Sequence, residues 1–265
     1  MFGSLKVASI KGIPIRLHFS LLVIAVLLVV QFGWFGIPAG FLLFGSLLLH
    51  ELGHALTAQR YGIPIAAINL NVLGGMALMK RPADTPKQEM VIAAAGPAVS
   101  FVLGLIFVAL TVLTGATLSP APTALDLIAY GAVVNVMMGL FNLLPALPMD
   151  GGRIFRAGLS LRFGALRATN IAAWVSRVFA VIFIGLGLFI QAWSLMLIGF
   201  VLFVLVANEQ RIARVQERLR RQGPFAPSPY GPVIDVGGDA PSSSVTREEF
   251  VDAHGRRFVV VTRLM

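Results

Sequence analysis

The sequence predicts an all-α membrane protein: six transmembrane helices, a membrane-associated β-hairpin between helices 2 and 3, and both termini in the cytoplasm. Three observations carry this. Of 265 residues, 57% are hydrophobic and only 12% charged, and the mean hydropathy of +0.85 lies outside the range of soluble globular domains. The apolar residues fall in long runs, and lysine and arginine cluster at alternate ends of those runs. Hydrocarbon offers no partner to free backbone N–H and C=O groups, so spanning segments must be helices or a closed barrel, and unbroken apolar runs select helices.

A span needs roughly 20 apolar residues, which places helices at 17–35, 38–60, 87–114, 125–147, 169–190 and 193–208. The first follows Lys6, Lys11 and Arg16 as a signal peptide would, yet it lacks a small-residue cleavage pattern and reads as an uncleaved span. Arg177 interrupts the fifth and the sixth is short, so a single bent segment is the alternative there. Arg60, Lys80, Arg81 and Lys87 lie between spans two and three; Arg153, Arg156, Arg162 and Arg167 follow span four; Arg211, Arg214, Arg218, Arg220 and Arg221 follow span six. The other connections carry no lysine or arginine, so the positive-inside rule puts both ends in the cytoplasm. Residues 1–16 are thus a cytoplasmic lead-in, 17–208 the membrane core and 209–265 a partly flexible cytoplasmic tail with Pro224, Pro227, Pro229 and Pro232 and a strand-like run near its end.

Residues 63–79 alternate loosely around Gly74-Gly75 and suit a hairpin packed against protein at membrane depth. Residues 153–167, with Phe155, Leu159 and Phe163 among arginines, read as an interfacial amphipathic helix. The formal charge of +9 is explained by topology, which argues against nucleic acid as a partner. Cysteine is absent, so any metal must take histidine or carboxylate ligands.

Span two contains His50-Glu51-Leu52-Gly53-His54, the H-E-x-x-H pattern. Histidines four apart share one helical face, so their ring nitrogens can converge on one ion. Charged groups at a helix centre cost about 2.5–3.5 kcal/mol each, which makes an accidental cluster there expensive. Counting back from Arg60 at 1.5 Å per residue sets His50 roughly 15 Å from the cytoplasmic edge. A zinc ion in such a site acidifies water, and the adjacent carboxylate of Glu51 can take the proton and return it to a leaving amine. A catalytic zinc needs a third protein ligand, and the candidates are His18, Asp84, Glu89, Asp126, Asp150 and Glu209. Asp150 is preferred. It follows Asn142-Leu143-Leu144-Pro145-Ala146-Leu147-Pro148-Met149, where prolines break the helix, and precedes Gly151-Gly152.

These two segments resemble the hallmarks of the site-2 proteases, intramembrane zinc metalloproteases of peptidase family M50: H-E-x-x-H on one span and N-x-x-P-x-x-P-x-D-G on another. Met149 stands where the family usually has leucine. The stretches Gly12 to Ser20 and Leu73-Gly74-Gly75 resemble the family's lead-in and hairpin. The resemblance is to the compact six-span form without an inserted PDZ domain or cystathionine-synthase-type domains. It implies one Zn2+ per chain held by His50, His54 and Asp150, Glu51 as general base, and Asn142 contacting substrate backbone or the developing oxyanion. The partners implied are a transmembrane protein substrate and the bilayer, in a prokaryotic cell membrane; no oligomeric state follows. The competing class is a non-catalytic zinc-binding membrane protein or transporter. A transporter needs polar groups on both sides of the ion, and the outer connections are nearly free of ionisable residues.

Overall fold

Residues 4–18 fold back on themselves before the first helix begins. The protein's structure, a computed structural model, describes residues 3–72, 74–119, 122–221, 245–251 and 257–263. Strand β1 (Ser4–Ile10) turns through Lys11 and Gly12, at φ of 46° and 79°, into antiparallel β2 (Ile13–His18). Strand β2 pairs in parallel with β3 (Ile65–Asn71), which pairs antiparallel with β4 (Gly74–Met79), giving the order β1-β2-β3-β4. The hairpin expected within 63–79 is present as β3 and β4. The strands ahead of the first helix are a correction to the sequence reading. Ile13 and Ile15 alternate with the less buried Pro14 and Arg16, and Ile15 and Leu17 lie opposite Ile68 and Leu70. That alternation is strand periodicity, and it draws Leu17 and His18 out of the predicted helix.

Helix α1 accordingly runs only from Leu21 to Phe32, about 18 Å at 1.5 Å per residue. A 3-10 turn, Gly33–Phe35, opens at Gly33 with φ of 58° and leads into α2, Gly36–Arg60. Gly36 lies against the backbone of Leu28, so α1 folds back beside the start of α2. The remaining helices are α3 (Pro86–Thr114), α4 (Asp126–Asn142), α5 (Asp150–Phe163), α6 (Ala165–Phe189) and α7 (Trp193–Arg221). Pro86 opens α3, and Thr85 caps it by accepting the Gln88 N–H at 3.2 Å. Helix α4 ends at Asn142 and not at the predicted Leu147, because Pro145 and Pro148 cannot continue it.

Among the described residues, three segments are long and apolar enough to cross a membrane: Leu21–Arg60, Pro86–Thr114 and Ala165–Phe189. Asp126–Asn142 and Trp193–Ala207 are apolar but shorter. Outward faces are apolar too: Phe41, Leu105 and Leu113 are 77%, 70% and 81% exposed, which suits hydrocarbon and not water. Arg177, which interrupts the fifth predicted span, donates to the Gln210 side chain and thereby joins α6 to α7.

Two features position the site. Helix α3 packs against α2, α4 and α5. Its approach to α2 is close because Gly53 has no side chain; a Cβ there would meet the Ala95 carbonyl oxygen at 2.8 Å. The sheet packs through Ile13, Ile65, Ile68 and Leu70 onto Leu52, Ala55 and Ala58 of α2 and Ile92 of α3. The four-stranded sheet therefore braces the helical turn that carries His50 to His54.

By chain contacts the protein divides into Met1–Ala226 and Pro227–Met265. In the second unit, β5 (Val245–Val251) pairs antiparallel with β6 (Arg257–Arg263), the strand-like run expected near the C-terminus. Leu73 and the prolines at 224, 227, 229 and 232 lie outside the described residues.

Candidate metal centre

Helix periodicity stacks His50 above His54 on the inner face of α2, where they are 2% and 4% exposed. Asp150 is the first residue of α5 and reaches them from the break after α4. Its Oδ2 lies 3.2 Å from His50 Nε2 and 3.1 Å from His54 Nε2, and the two nitrogens are 3.2 Å apart. The break is held in place from outside: the Leu147 N–H donates to Ser176 Oγ of α6 at 2.7 Å. Gly151 and Gly152 press against the backbones of Leu143, Leu144 and Ala146, so the segment folds tightly onto the start of α5. Arg153 Nη1 stands 3.5 Å from the second carboxylate oxygen, Oδ1.

The outer nitrogens of the rings say which way the lone pairs face. His54 Nδ1 lies 2.7 Å from the Ile92 carbonyl oxygen, a group that only accepts, so Nδ1 carries the proton. In the neutral ring Nε2 then points its lone pair inward. His50 Nδ1 is 2.9 Å from Ser100 Oγ, a hydroxyl able to accept the ring N–H and so to leave Nε2 as the inward lone pair. With the His50 proton on Nδ1, the tautomer that ligation through Nε2 requires, three electron-pair donors face one another across about 3 Å, an array that repels itself unless a cation lies between. A tetrahedral zinc with ligand distances of about 2.0–2.1 Å holds its donors about 3.3 Å apart, close to the spacing seen. Two imidazoles and a carboxylate also form a donor set that zinc takes in catalytic sites. The residues fit the ion.

Glu51, 8% exposed, follows His50 and turns toward the sheet. Its Oε2 accepts the Ala77 N–H of β4 at 2.9 Å. Gly75 permits this approach, since a Cβ there would stand 2.7 Å from Oε1.

The structure thus brings His50, His54 and Asp150 together and sets the other candidates apart. Asp126 accepts from Thr117 and Thr123, Asp84 pairs with Arg81, Glu89 pairs with Arg156, and His18 Nδ1 meets Ser20 Oγ at 2.8 Å. The Glu209 side chain lies outside the described ones. Asn142 donates to the Met138 carbonyl of its own helix at 3.0 Å. It also lines a cavity of about 590 Å³ with Leu43, Val133, Met137 and Leu144. Asn135, fully buried, donates to Ser46 Oγ at 2.9 Å and so ties α4 to α2.

Sequence reasoning missed the α3 contribution. Ile92, Gly96, Ser100 and Gly104 recur every four residues and are all buried, the stripe that faces α2 and α4. The first three serve the imidazoles directly: the Ile92 carbonyl and Ser100 hydroxyl fix the outer nitrogens, and Gly96 leaves room for the inner ones. At Gly96 the close approach of α3 to α2 falls at the candidate metal centre itself. Ser100→Ala is expected to weaken zinc binding about 10–100-fold, because partners that orient a ligating ring act at that scale. Competition against a chelator of known affinity measures it.

A sequence profile of peptidase family M50 matches residues 38–124 and 117–186. The chain is similar to a zinc metalloprotease of Methanocaldococcus jannaschii, 35% identical over 257 residues, 94% of this chain and 71% of that protein. It is also similar to Rip3 of Mycobacterium tuberculosis, 36% identical over 205 residues, 71% of this chain and 52% of that one. Among solved structures it resembles a site-2 protease from Methanocaldococcus jannaschii, with a TM-score of 0.61 and 36% identity, over 78% of this chain and 95% of that one.

Proposed function

The chain belongs to peptidase family M50, whose matched members are zinc metalloproteases, and from that premise we propose that it cuts peptide bonds within or near transmembrane segments of other proteins. The observation that carries this reading is the convergence of His50, His54 and Asp150 on one point inside a bundle whose outer faces are apolar. Helices α1, α2, α3, α4, α6 and α7 cross the membrane in this reading, with both termini in the cytoplasm, in a multi-pass arrangement in a prokaryotic cell membrane. The arginines after α4 and those within α7 then lie on the cytoplasmic side. Residues 17–208 act as the protease core and 209–265 as a cytoplasmic appendage.

His50, His54 and Asp150 would hold the zinc. When bound, the ion acts as a Lewis acid that acidifies water and polarises a carbonyl. Glu51 receives the proton of the attacking water and delivers it to the leaving amine. Burial of Glu51 keeps bulk water and competing cations from its carboxylate. Asn142, whose amide is neutral, donates to the substrate backbone without bringing charge into lipid. The substrate must be locally extended, because a helical peptide bond is shielded and internally bonded; an extended one can pair with a sheet edge.

The test is reconstitution of the purified chain in liposomes with a synthetic single-span peptide. The expected result is cleavage inside the apolar stretch, lost on chelation and restored by one equivalent of zinc, with products located by mass spectrometry. Cleavage confined to soluble peptides would overturn the intramembrane assignment. Zinc flux without any cleavage would support the transporter instead.

A further inference from the structure

Strand β4 ends the sheet: β3 covers one of its edges, and no strand among the described residues covers the other. An uncovered edge offers backbone N–H and C=O groups to any extended chain that can reach it. In a strand these groups alternate sides residue by residue, so Ala77 and Gly75 present theirs to the same edge. Glu51 reaches that edge from one face of the sheet, over the place where a Gly75 Cβ would project. Its Oε2 accepts the Ala77 N–H at 2.9 Å, and its carboxylate lies over the backbone at Gly75. The side chain therefore occupies a site that the carbonyl of an added strand would take.

We propose that the Ala77 amide is a shared donor: in the resting enzyme it positions the Glu51 carboxylate, and an extended substrate pairing with β4 takes that amide over and releases Glu51 for proton transfer. This rests on Glu51 being the general base and on the substrate being bound extended. The coupling has a physical purpose. A buried carboxylate without a donor is costly, and the strand edge supplies one until substrate arrives. Incoming substrate brings a carbonyl that satisfies the amide, so the donor is never left unpaired. Glu51 then becomes free to turn toward the reacting water only when there is something to hydrolyse. Gly75 acts as a positioning residue, because a side chain there would push the carboxylate off the edge.

Residue-resolved amide exchange of the full chain in nanodiscs tests this, with exchange along β3 as the control for folding. Relative to wild type, Glu51→Ala is expected to speed exchange at Ala77 about tenfold or more, while Glu51→Gln, whose amide oxygen still accepts, keeps it protected. The probe is a single-span Leu/Ala peptide with a central Gly-Gly pair. Bound to the inactive Glu51→Ala chain, with binding followed by peptide fluorescence, it is expected to restore protection at Ala77. An Ala77 amide indifferent to Glu51→Ala, or one left unprotected by bound peptide, overturns the proposal. If wild type nonetheless cleaves the same peptide, the protease reading stands without it. Failure of the peptide to bind or be cleaved overturns the proposal and counts against the intramembrane reading as well.

Discussion

Glu51→Gln is expected to retain one zinc per chain while peptide cleavage falls roughly 10²–10⁴-fold, the range that a positioned general base contributes. The substitution conserves shape and keeps an oxygen able to accept from Ala77, so the contact with β4 survives. It also removes a buried negative charge next to His50 without touching His50, His54 or Asp150. The amide cannot take a proton from water at any ordinary pH, so the lost function is proton transfer alone. Zinc content by atomic absorption and initial cleavage rate, measured on one preparation, separate the two roles. Full activity in this variant would remove Glu51 from the chemistry; loss of zinc would make it part of the metal site.

The candidate groups on α2 were legible because the proposed chemistry fixes their spacing. Two imidazoles on one helical face require positions four apart, and a base beside the first requires position two of the same motif; no tertiary knowledge enters. Asp150 was legible for a related reason: two prolines and two glycines around a carboxylate in an apolar chain announce a broken helix carrying a polar group. The supporting groups were harder to see. The Ile92 carbonyl and the Ala77 amide are backbone atoms, which every residue has, so no residue type marks them. Ser100 and Gly96 did leave a trace, the stripe of recurring positions on α3, but small residues at that spacing serve ordinary helix packing equally well.

The N-terminal hairpin was missed for a different reason. A hydropathy window merges Leu17 to Ser20 with the apolar run that follows, although Ile13, Ile15 and Leu17 alternate as a strand does. What settles the matter is parallel pairing with β3, a contact between residues about fifty positions apart that no local pattern encodes. The same merging lengthened the fourth span to Leu147, where proline chemistry ends the helix at Asn142.

Gly96→Ala is expected to abolish zinc binding and activity together, an effect far larger than a single methyl usually produces. A Cβ on Gly96 would collide with His54 Nε2 and stand 2.7 Å from His50 Nε2, so it enters the space where the donors converge. A flexible side chain would swing away, but these rings are pinned at their far nitrogens by the Ile92 carbonyl and Ser100. Helix α3 is also packed on α2, α4 and α5 together, so moving it away from the rings disturbs three helix interfaces at once. The methyl must therefore displace an imidazole or force the helices apart, and either outcome breaks the ligand set. In the helix itself the change is mildly favourable, since alanine is a better helix former than glycine by about 1 kcal/mol. Helical content by circular dichroism should hold while zinc stoichiometry falls toward zero. Gly185→Ala on α6, where a Cβ meets nothing within 4 Å, is the control expected to keep both. Retention of zinc by Gly96→Ala would mean that the imidazoles bind the ion from positions other than those in this structure.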